Sequence, residues 1–446
     1  MNRTAPRAAI QRTDPVFGPP GAAAGGPGAA AAPLPADTPR AARLVIGMLQ
    51  RLAHGELSLR LPDGTTRRFG SGAPRAALRL DDWSVFEATL KRGDVGFAET
   101  WIAGSWRTDD LAALLSLLVA NRDAIERAIY GSWLGRIVGH LRHMLNRNSR
   151  AGSRRNIHAH YDLGNAFYRL WLDPSMTYSS ALFDDAGRTA QDRTGSAPGL
   201  VNREGADEAA LLMRAQHAKY DRILERLGLA QGASVLEIGC GWGGFAERAL
   251  ERGLRPTGLT ISTEQHAWAC ERLAGPDGRP RADIVLRDYR DETGRYDGIA
   301  SIEMFEAVGE AYWPDYFATL ERCLKPGGRA VVQTITIDEA LFERYRRGTD
   351  FIQQYVFPGG MLPSRERFEA LARSHGLRVV DAFAFGADYA RTLRAWRERF
   401  MARLTEVRAL GFDDRFVRTW EFYLAYCEAG FDNRNIDVVQ FTMEKP

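Results

Sequence analysis

The decapeptide VLEIGCGWGG, Val235 to Gly244, restricts the fold of this chain more than any other stretch. Val-Leu-Glu-Ile suits a buried strand, and Gly239, Gly241, Gly243 and Gly244 crowd in directly after it. The following FAERALER predicts a helix, so the unit is strand, glycine turn, helix. Glycine permits positive φ and lacks the Cβ that would hold a ligand off the backbone. The N–H groups at the start of the helix then face whatever binds there. Such a turn alone fits either a plain tight turn or a dinucleotide site of G-x-G-x-x-G type. Here the spacing is G-x-G-x-G-G, and the next strand, RPTGLT, leads into Thr260-Ile261-Ser262 where a dinucleotide site places an acid. The acidic residue lies inside the first strand instead, as Glu237.

That placement suits the pattern of S-adenosylmethionine (SAM) methyltransferases. Beyond the turn, strand and helix alternate, which predicts a doubly wound α/β sheet. Strand two is RPTGLTI, and Ser262-Thr263-Glu264-Gln265 reads as a capping box opening the next helix. Strand three, ADIVL, runs into Arg287-Asp288-Tyr289-Arg290-Asp291, and strand four, YDGIASI, ends at Glu303-Met304-Phe305-Glu306. A helix closes at LKPGG before strand five, RAVVQTITI. The last third holds a helix (RERFEALARSHG), a strand (LRVVDAF), two aromatic-rich helices around Trp396 and Trp420, and a final strand, NIDVVQFTM.

A chain of 446 residues has room for two domains. Its net charge of +3 is too small to argue for nucleic acid. The longest apolar run, LAALLSLLVA from Leu111, is about half a membrane span, so any membrane contact is made from the surface. Cys240, Cys270, Cys323 and Cys427 form no CxxC pair and no metal spacing, and read as reduced thiols of a cytoplasmic protein. Residues 1–38, rich in Ala, Gly and Pro, predict a disordered tail. Residues 40–150 form a smaller N-terminal domain, with a helical pattern at Leu44, Ile46, Leu49 and Leu52 and a strand-turn at LSLRLPDG. Arg142, Arg147, Arg150, Arg154 and Arg155 follow without an acidic residue between them. They fit a solvated linker, or contact with anionic lipid at about 1 kcal/mol per residue. The second domain, 156–446, opens with HAHYDLGNAFYRLWLDPSMTYSSALF, in which His158 and His160 read as structural. A polar loop, Asp184 to Glu208, and the helix AALLMRAQHAKYDRILERLGL then lead to the organising strand.

Several of these stretches together resemble the cyclopropane-fatty-acyl-phospholipid synthases and the related mycolic acid methyltransferases. They are HYDLGNAFYRLWLDPSMTYSSALF, VLEIGCGWGG, GLTISTEQ, RDYRD, SIEMFEAVGE, LKPGG, FPGGMLPS, ADYARTL and WEFYLAYCEAGF, in the family's order from Asn156 onward. The resemblance implies a seven-stranded, Rossmann-like SAM-dependent methyltransferase sheet with an acyl chain bound over it. It places the cofactor against Tyr178 and Ser179 above, Gly239 and Gly241 below with Glu237 in the strand beneath, Thr260, Ile261 and Gln265 at the ribose, and Asp288 and Tyr289 at the adenine. It implies an unsaturated phospholipid substrate, peripheral contact with the inner face of the membrane, no nucleic acid, and leaves a homodimer open.

In the family, methyl transfer to an alkene leaves a carbocation, which aromatic faces stabilise, and exclusion of water protects it. A bound bicarbonate then removes a proton from the added methyl and the ring closes. Of the residues that cage this anion, Glu306, Ile335 (through its carbonyl) and Tyr389 match here, while Ser180 stands for a cysteine and Gln333 for a histidine. Both replacements can hydrogen-bond an anion but carry no charge, which leaves bicarbonate binding open. The resemblance favours a cyclopropane product with Glu306 holding or replacing the base. A methylene- or methyl-branched chain remains a rival because of Ser180 and Gln333. A SAM- or lipid-binding module without catalysis is opposed by the retained Glu306 and Tyr389. Methyl transfer to a small soluble metabolite is open from the sheet alone.

Overall fold

The computed structural model describes residues 34–122, 163–183 and 205–446. The tail up to residue 33, the five arginines from Arg142 to Arg155, His158, His160 and residues 184–204 of the polar loop lie outside them. Pro35 to Thr38, at the end of the expected tail, closes a turn through a 3.1 Å hydrogen bond from the Thr38 N–H to Pro35 O, and Thr38 is buried. The chain divides into two compact units, Met1–Gly131 and Ser132–Pro446.

The first unit runs α1 (Arg40–Leu49), β1 (Gly55–Arg60), β2 (Thr66–Ser71), β3 (Arg75–Leu80), α2 (Ser84–Ile102), β4 (Trp106–Arg107) and α3 (Leu111–Ala120), with its sheet in the order β2-β1-β3-β4. Leu57 and Leu59 of β1 point inward while Ser58 and Arg60 point out, as the two-residue period of a strand requires. Asn121 ends α3 and ties it to the turn before β1. Its Oδ1 accepts from the Ala53 and His54 N–H groups at 2.8 and 3.0 Å, and its Nδ2 donates to His54 O and Leu117 O. Asn121→Ala strands these backbone groups and should cost on the order of 3 kcal/mol. A denaturant midpoint equal to wild type would show that water replaces the side chain.

The second unit contains α4 (Asn165–Trp171), α5 (Gly205–Leu227), β5 (Ser234–Ile238), α6 (Gly244–Glu251), β6 (Arg255–Thr260), α7 (Thr263–Arg272), β7 (Asp283–Leu286), β8 (Tyr296–Ile302), α8 (Trp313–Cys323), β9 (Leu324–Ile337) and α9 (Glu339–Arg347). A π-helical turn at Ile352–Val356 precedes α10 (Arg365–Ser374), β10 (Arg378–Ala384), α11 (Gly386–Ala402), α12 (Leu404–Ala409), α13 (Asp414–Asp432) and β11 (Ile436–Glu444). Seven strands pair in the order β10-β11-β9-β8-β5-β6-β7. Strands β5 to β9 are parallel, and β11 lies antiparallel between β9 and β10. The fold is thus α/β with a smaller sheet in the first unit. Leu236, Ile238 and Val332 face Phe317, Leu320 and Phe368 on one side, while Val235 and Val331 face Ile223, Leu227 and Phe245 on the other. Both faces are covered, so the parallel strands read as continuous apolar runs.

Two local expectations need adjustment. Ser262 caps α7 by accepting from the Gln265 N–H at 3.3 Å, but Gln265 does not close the box. Its Oε1 accepts from the Thr260 hydroxyl at 3.1 Å instead, and the Thr260 oxygen takes the Ser262 N–H. LKPGG is a bulge inside β9 rather than a turn before it. Tyr296 pairs with Leu324 and Gly298 with Arg329, and Gly327, at φ 74°, hydrogen-bonds Lys445 O. No helix among the described residues is long and apolar enough to cross a membrane.

Candidate active site

The parallel strands β5, β6, β7 and β8 end side by side, and a covering segment, residues 172–183, touches the elements after β5 and β6 and the end of β8. The glycine turn follows β5, with Gly239, Gly241 and Gly243 at φ 85°, 51° and 84°. The Gly239 and Cys240 N–H groups donate to Leu259 O of β6, fixing the turn against the next strand. A Cβ on Gly239 would press on Met304 at 2.9 Å, whereas one on Gly241 would meet nothing within 4 Å. The turn therefore leaves room above Gly241 that any side chain would fill. Glu237 sits beneath it, buried, taking a backbone hydrogen bond from Ala246 and leaving Oε2 without a partner. Burial raises its pKa well above the usual carboxylate range, against the pull of Lys219 and Arg272.

Thr260, Ile261 and Gln265 lie at the end of β6, next to this turn. At the end of β7, Asp288 is buried and gripped by Arg290 through Nε at 2.9 Å and a second nitrogen at 2.6 Å. The expectation that Asp288 flanks a ligand must accommodate that ion pair. Tyr289 stands edge-on to Tyr316 at 5.7 Å.

The covering segment is clamped from several sides. Trp242 of the glycine turn donates to Asn165 Oδ1 at 2.7 Å, Arg272 to Ser175 O at 2.7 Å, and Arg399 of α11 to Trp171 O and Leu172 O at 2.8 Å each. The Tyr178 and Tyr423 hydroxyls meet at 2.7 Å, and the Tyr178 ring packs among Tyr168, Trp171 and Trp396. Ser179 O accepts from Gln216, and Ser179 Oγ accepts from the Lys219 ammonium.

Three of the residues expected to cage an anion, Ser180, Gln333 and Tyr389, do converge, but on a side chain of this protein. Glu303 Oε1 accepts from the Ser180 N–H at 2.8 Å and from Gln333 Nε2 at 2.8 Å, and its Oε2 accepts from the Tyr389 hydroxyl. Ser180 contributes its amide only, because its hydroxyl turns back to Ala181 O. Glu303 adopts φ 49°, a left-handed conformation that a non-glycine residue holds only at some cost. That backbone aims its carboxylate into the cage.

Glu306 lies outside this cluster. It accepts from the Ile335 N–H and from the Thr334 hydroxyl at 3.0 Å, with Oε2 unpartnered. Ile335 thus offers its N–H to Glu306, while its carbonyl accepts from Thr334. Burial, and then the charge of Glu303, push Glu306 up to about 8, so it is protonated at neutral pH. Burial raises Glu303 too, but Tyr389, Lys219, the Ser180 amide and Gln333 all favour its charged form. Both carboxyls are thus raised by burial, with hydrogen-bond donors at each favouring the charged form, and Glu303 is the one that meets Ser180, Gln333 and Tyr389.

The family described as mycolic acid cyclopropane synthetase matches residues 148–441. The chain belongs to this family. It is 40% identical over 401 residues to a tuberculostearic acid methyltransferase of Mycobacterium tuberculosis, covering 89% of this chain and 90% of that one. It is 33% identical over 383 residues to the cyclopropane-fatty-acyl-phospholipid synthase of Escherichia coli, covering 84% and 89%. A crystal structure of a mycolic acid cyclopropane synthase complexed with SAH and CTAB superposes with a TM-score of 0.57 at 31% identity, covering 66% of this chain and 98% of that one. Matches of 401 and 383 residues must extend into the N-terminal unit, which the family match from residue 148 leaves out.

Within this cyclopropane synthase-type sheet, Lys219 is a site residue that the sequence reading passed over. It is fully buried on α5, donates to Ser179 Oγ and Gln216 Oε1, and lies 4.5 Å from the Tyr220 ring centre. Burial lowers its pKa to about 7, with Glu303, Asp173 and Glu237 pulling the other way. Folding therefore releases a proton from Lys219 between about pH 7 and its ordinary 10.5. Its contribution to stability rises with pH across that window. Any stability gained by Lys219→Met should be largest below pH 7 and shrink toward pH 10. A gain or loss independent of pH would show that the ammonium is not held at a desolvation cost.

Proposed function

We propose that this chain binds SAM above Gly241 and adds its methyl group to the double bond of an unsaturated phospholipid acyl chain at the membrane surface, giving a methylene-branched chain. The observation that carries this reading is Glu303. Where the family resemblance implies a free bicarbonate held by neutral and acidic groups, a carboxylate of the chain itself takes the donors of Ser180, Gln333 and Tyr389.

The fit of SAM rests on the room above Gly241 and on Glu237, whose free Oε2 suits a cationic amino group nearby. Tyr178, Ser179, Thr260, Ile261 and Gln265 would complete the pocket. Bound there, SAM supplies an electrophilic methyl group. The protein does the rest. Tyr178, Trp171, Trp396 and Tyr389 present ring faces and edges to a developing cation, at centroid spacings of 5.3–6.2 Å from one another. Their packing keeps water away from it. A 1,2-hydride shift first carries the cation onto the methyl-bearing carbon. Glu303, aimed by its backbone, then takes one proton from the added methyl, and that C–H pair becomes the second bond of C=CH2. Bicarbonate has no place in this scheme, because its donors are engaged.

Ring closure takes the same proton before any hydride shift, with the methyl C–H pair closing onto the neighbouring cationic carbon, so the two outcomes differ in whether the hydride moves before the proton leaves. Support for the branched product comes from Ser180 and Gln333 departing from the residues of the bicarbonate cage, from Glu303 taking the donors of Ser180, Gln333 and Tyr389, and from 40% identity to a relative named for methyl transfer. Expression in cells rich in monounsaturated phospholipid, followed by proton NMR of the extracted lipid, tests it. Terminal =CH2 protons are expected, apart from the –CH=CH– protons of unreacted lipid. Far-upfield ring protons without the =CH2 signal would replace the branch by a cyclopropane and leave methyl transfer standing, and lipid showing only –CH=CH– protons would remove the acyl substrate.

A further inference from the structure

A line of polar side chains runs along the α5 face of the sheet to Glu303. Arg222 of α5 donates to Gln440 Oε1 at 2.7 Å, Gln440 Nε2 donates to Gln333 Oε1 at 3.0 Å, and Gln333 Nε2 donates to Glu303 Oε1 at 2.8 Å. Gln333 and Gln440 are direct cross-strand partners on β9 and β11, and neither has any exposed surface. Buried amides in mid-sheet need every partner they have.

We propose that Arg222 and Gln440 are positioning residues for the reaction, which orient the Gln333 amide so that its N–H, and not its oxygen, faces Glu303. A glutamine amide can turn over within the same space, presenting either end. A guanidinium cannot reverse, because it has donors and no acceptor. With Arg222 at one end, Gln440 must offer it oxygen, so its nitrogen must face Gln333, and the Gln333 nitrogen must face the carboxylate. Without Arg222 both amides can flip, which sets a carbonyl oxygen against Glu303 and favours its protonated form.

Arg222 is itself fixed. It pairs with Asp381 of β10 at 2.8 Å and lies over the Phe383 ring at 4.0 Å from its centre. Arg226 shares Asp381 at 3.3 Å, and Glu225 is the other charge near Arg222. Around Glu303 the charged and titratable groups are Lys219 from α5, Tyr389 from α11 and Glu306 beyond β8, while the Ser180 amide and Gln333 are neutral donors. Lys219 and Tyr389 act on Glu303 without passing through Gln333, so they stay in place when the relay is cut.

This inference rests on Glu303 serving as the base, and the test separates the two. Turnover on monounsaturated phospholipid vesicles is measured against pH for wild type, Arg222→Gln, Arg222→Lys, Gln440→Met and Glu303→Gln. An ionised base gives a rate that rises with pH to a plateau. Loss of one donor to the carboxylate moves that rise to higher pH. For Arg222→Gln and Gln440→Met the expected result is a roughly tenfold loss on the acidic limb with the plateau kept within about twofold. Arg222→Lys, again a donor without an acceptor, restores the wild-type limb. A fall that is even at every pH, or an unmoved limb, would show that these residues merely support the sheet. Full turnover by Glu303→Gln would instead overturn the base itself. Arg222→Gln alters a helix side chain outside the sheet, so it decides the matter even if Gln440→Met fails to fold.

Discussion

Glu303→Gln is expected to lower turnover on unsaturated phospholipid by about 10²–10⁴-fold, the usual worth of a positioned base. The amide keeps the size of the side chain but cannot accept a proton from the added methyl. It also faces the Ser180 amide, Gln333 Nε2 and the Tyr389 hydroxyl, all donors, with only one acceptor of its own. SAM affinity, measured by calorimetric titration, should barely change. The parallel substitution Glu306→Gln should cost less than about tenfold, because glutamine imitates the protonated acid that burial maintains there. The reverse order of the two effects would return the base to Glu306.

The second large effect is on the cofactor. Gly241→Glu should weaken SAM binding at least about 100-fold, since a side chain and a negative charge would enter the room over the glycine turn. The fold should survive, because a Cβ at this position meets no atom within 4 Å. Gly239 makes the contrast. Both glycines hold positive φ, 51° at Gly241 and 85° at Gly239, so a side chain strains the backbone at either, but only at Gly239 does it also run into Met304. Near-normal SAM affinity in Gly241→Glu, with an unchanged melting curve, would remove the cofactor from this position.

The sheet was legible because its signals are local. Strand length, the glycine turn and the helix-stop at LKPGG each occupy a few neighbouring residues. Gly239, Gly241, Thr260, Ile261 and Asp288 could be expected to lie near one another because they follow neighbouring parallel strands. Glu303 was not legible, since its partners lie 123, 30 and 86 residues away and its own backbone must turn left-handed to reach them. Glu306, three residues on, carries the same chemistry in sequence and a different one in space. Lys219 could have been found. The buried face of α5 runs Leu212, Ala215, Gln216, Lys219, Tyr220, Ile223, Leu224 and Leu227, and two polar residues on an apolar helical stripe mark a buried task. Asp288 has a partner that could have been foreseen. An arginine two residues later was a visible partner, and it takes the carboxylate that the resemblance assigned to a ligand.

The position of β11 bears on how the protein is made. It is the last element of the chain, yet it lies inside the sheet, bonded to β9 on one edge and β10 on the other. During synthesis β9 emerges long before its neighbour and waits as an open edge of apolar strand, the kind of surface that recruits other chains. The sheet closes only once β11 has followed. With Gln440 on that strand, closure and completion of the polar line to Glu303 are one event. A prematurely terminated chain would therefore be both inactive and adhesive, which makes it a substrate for chaperones and proteases and not a partly working enzyme.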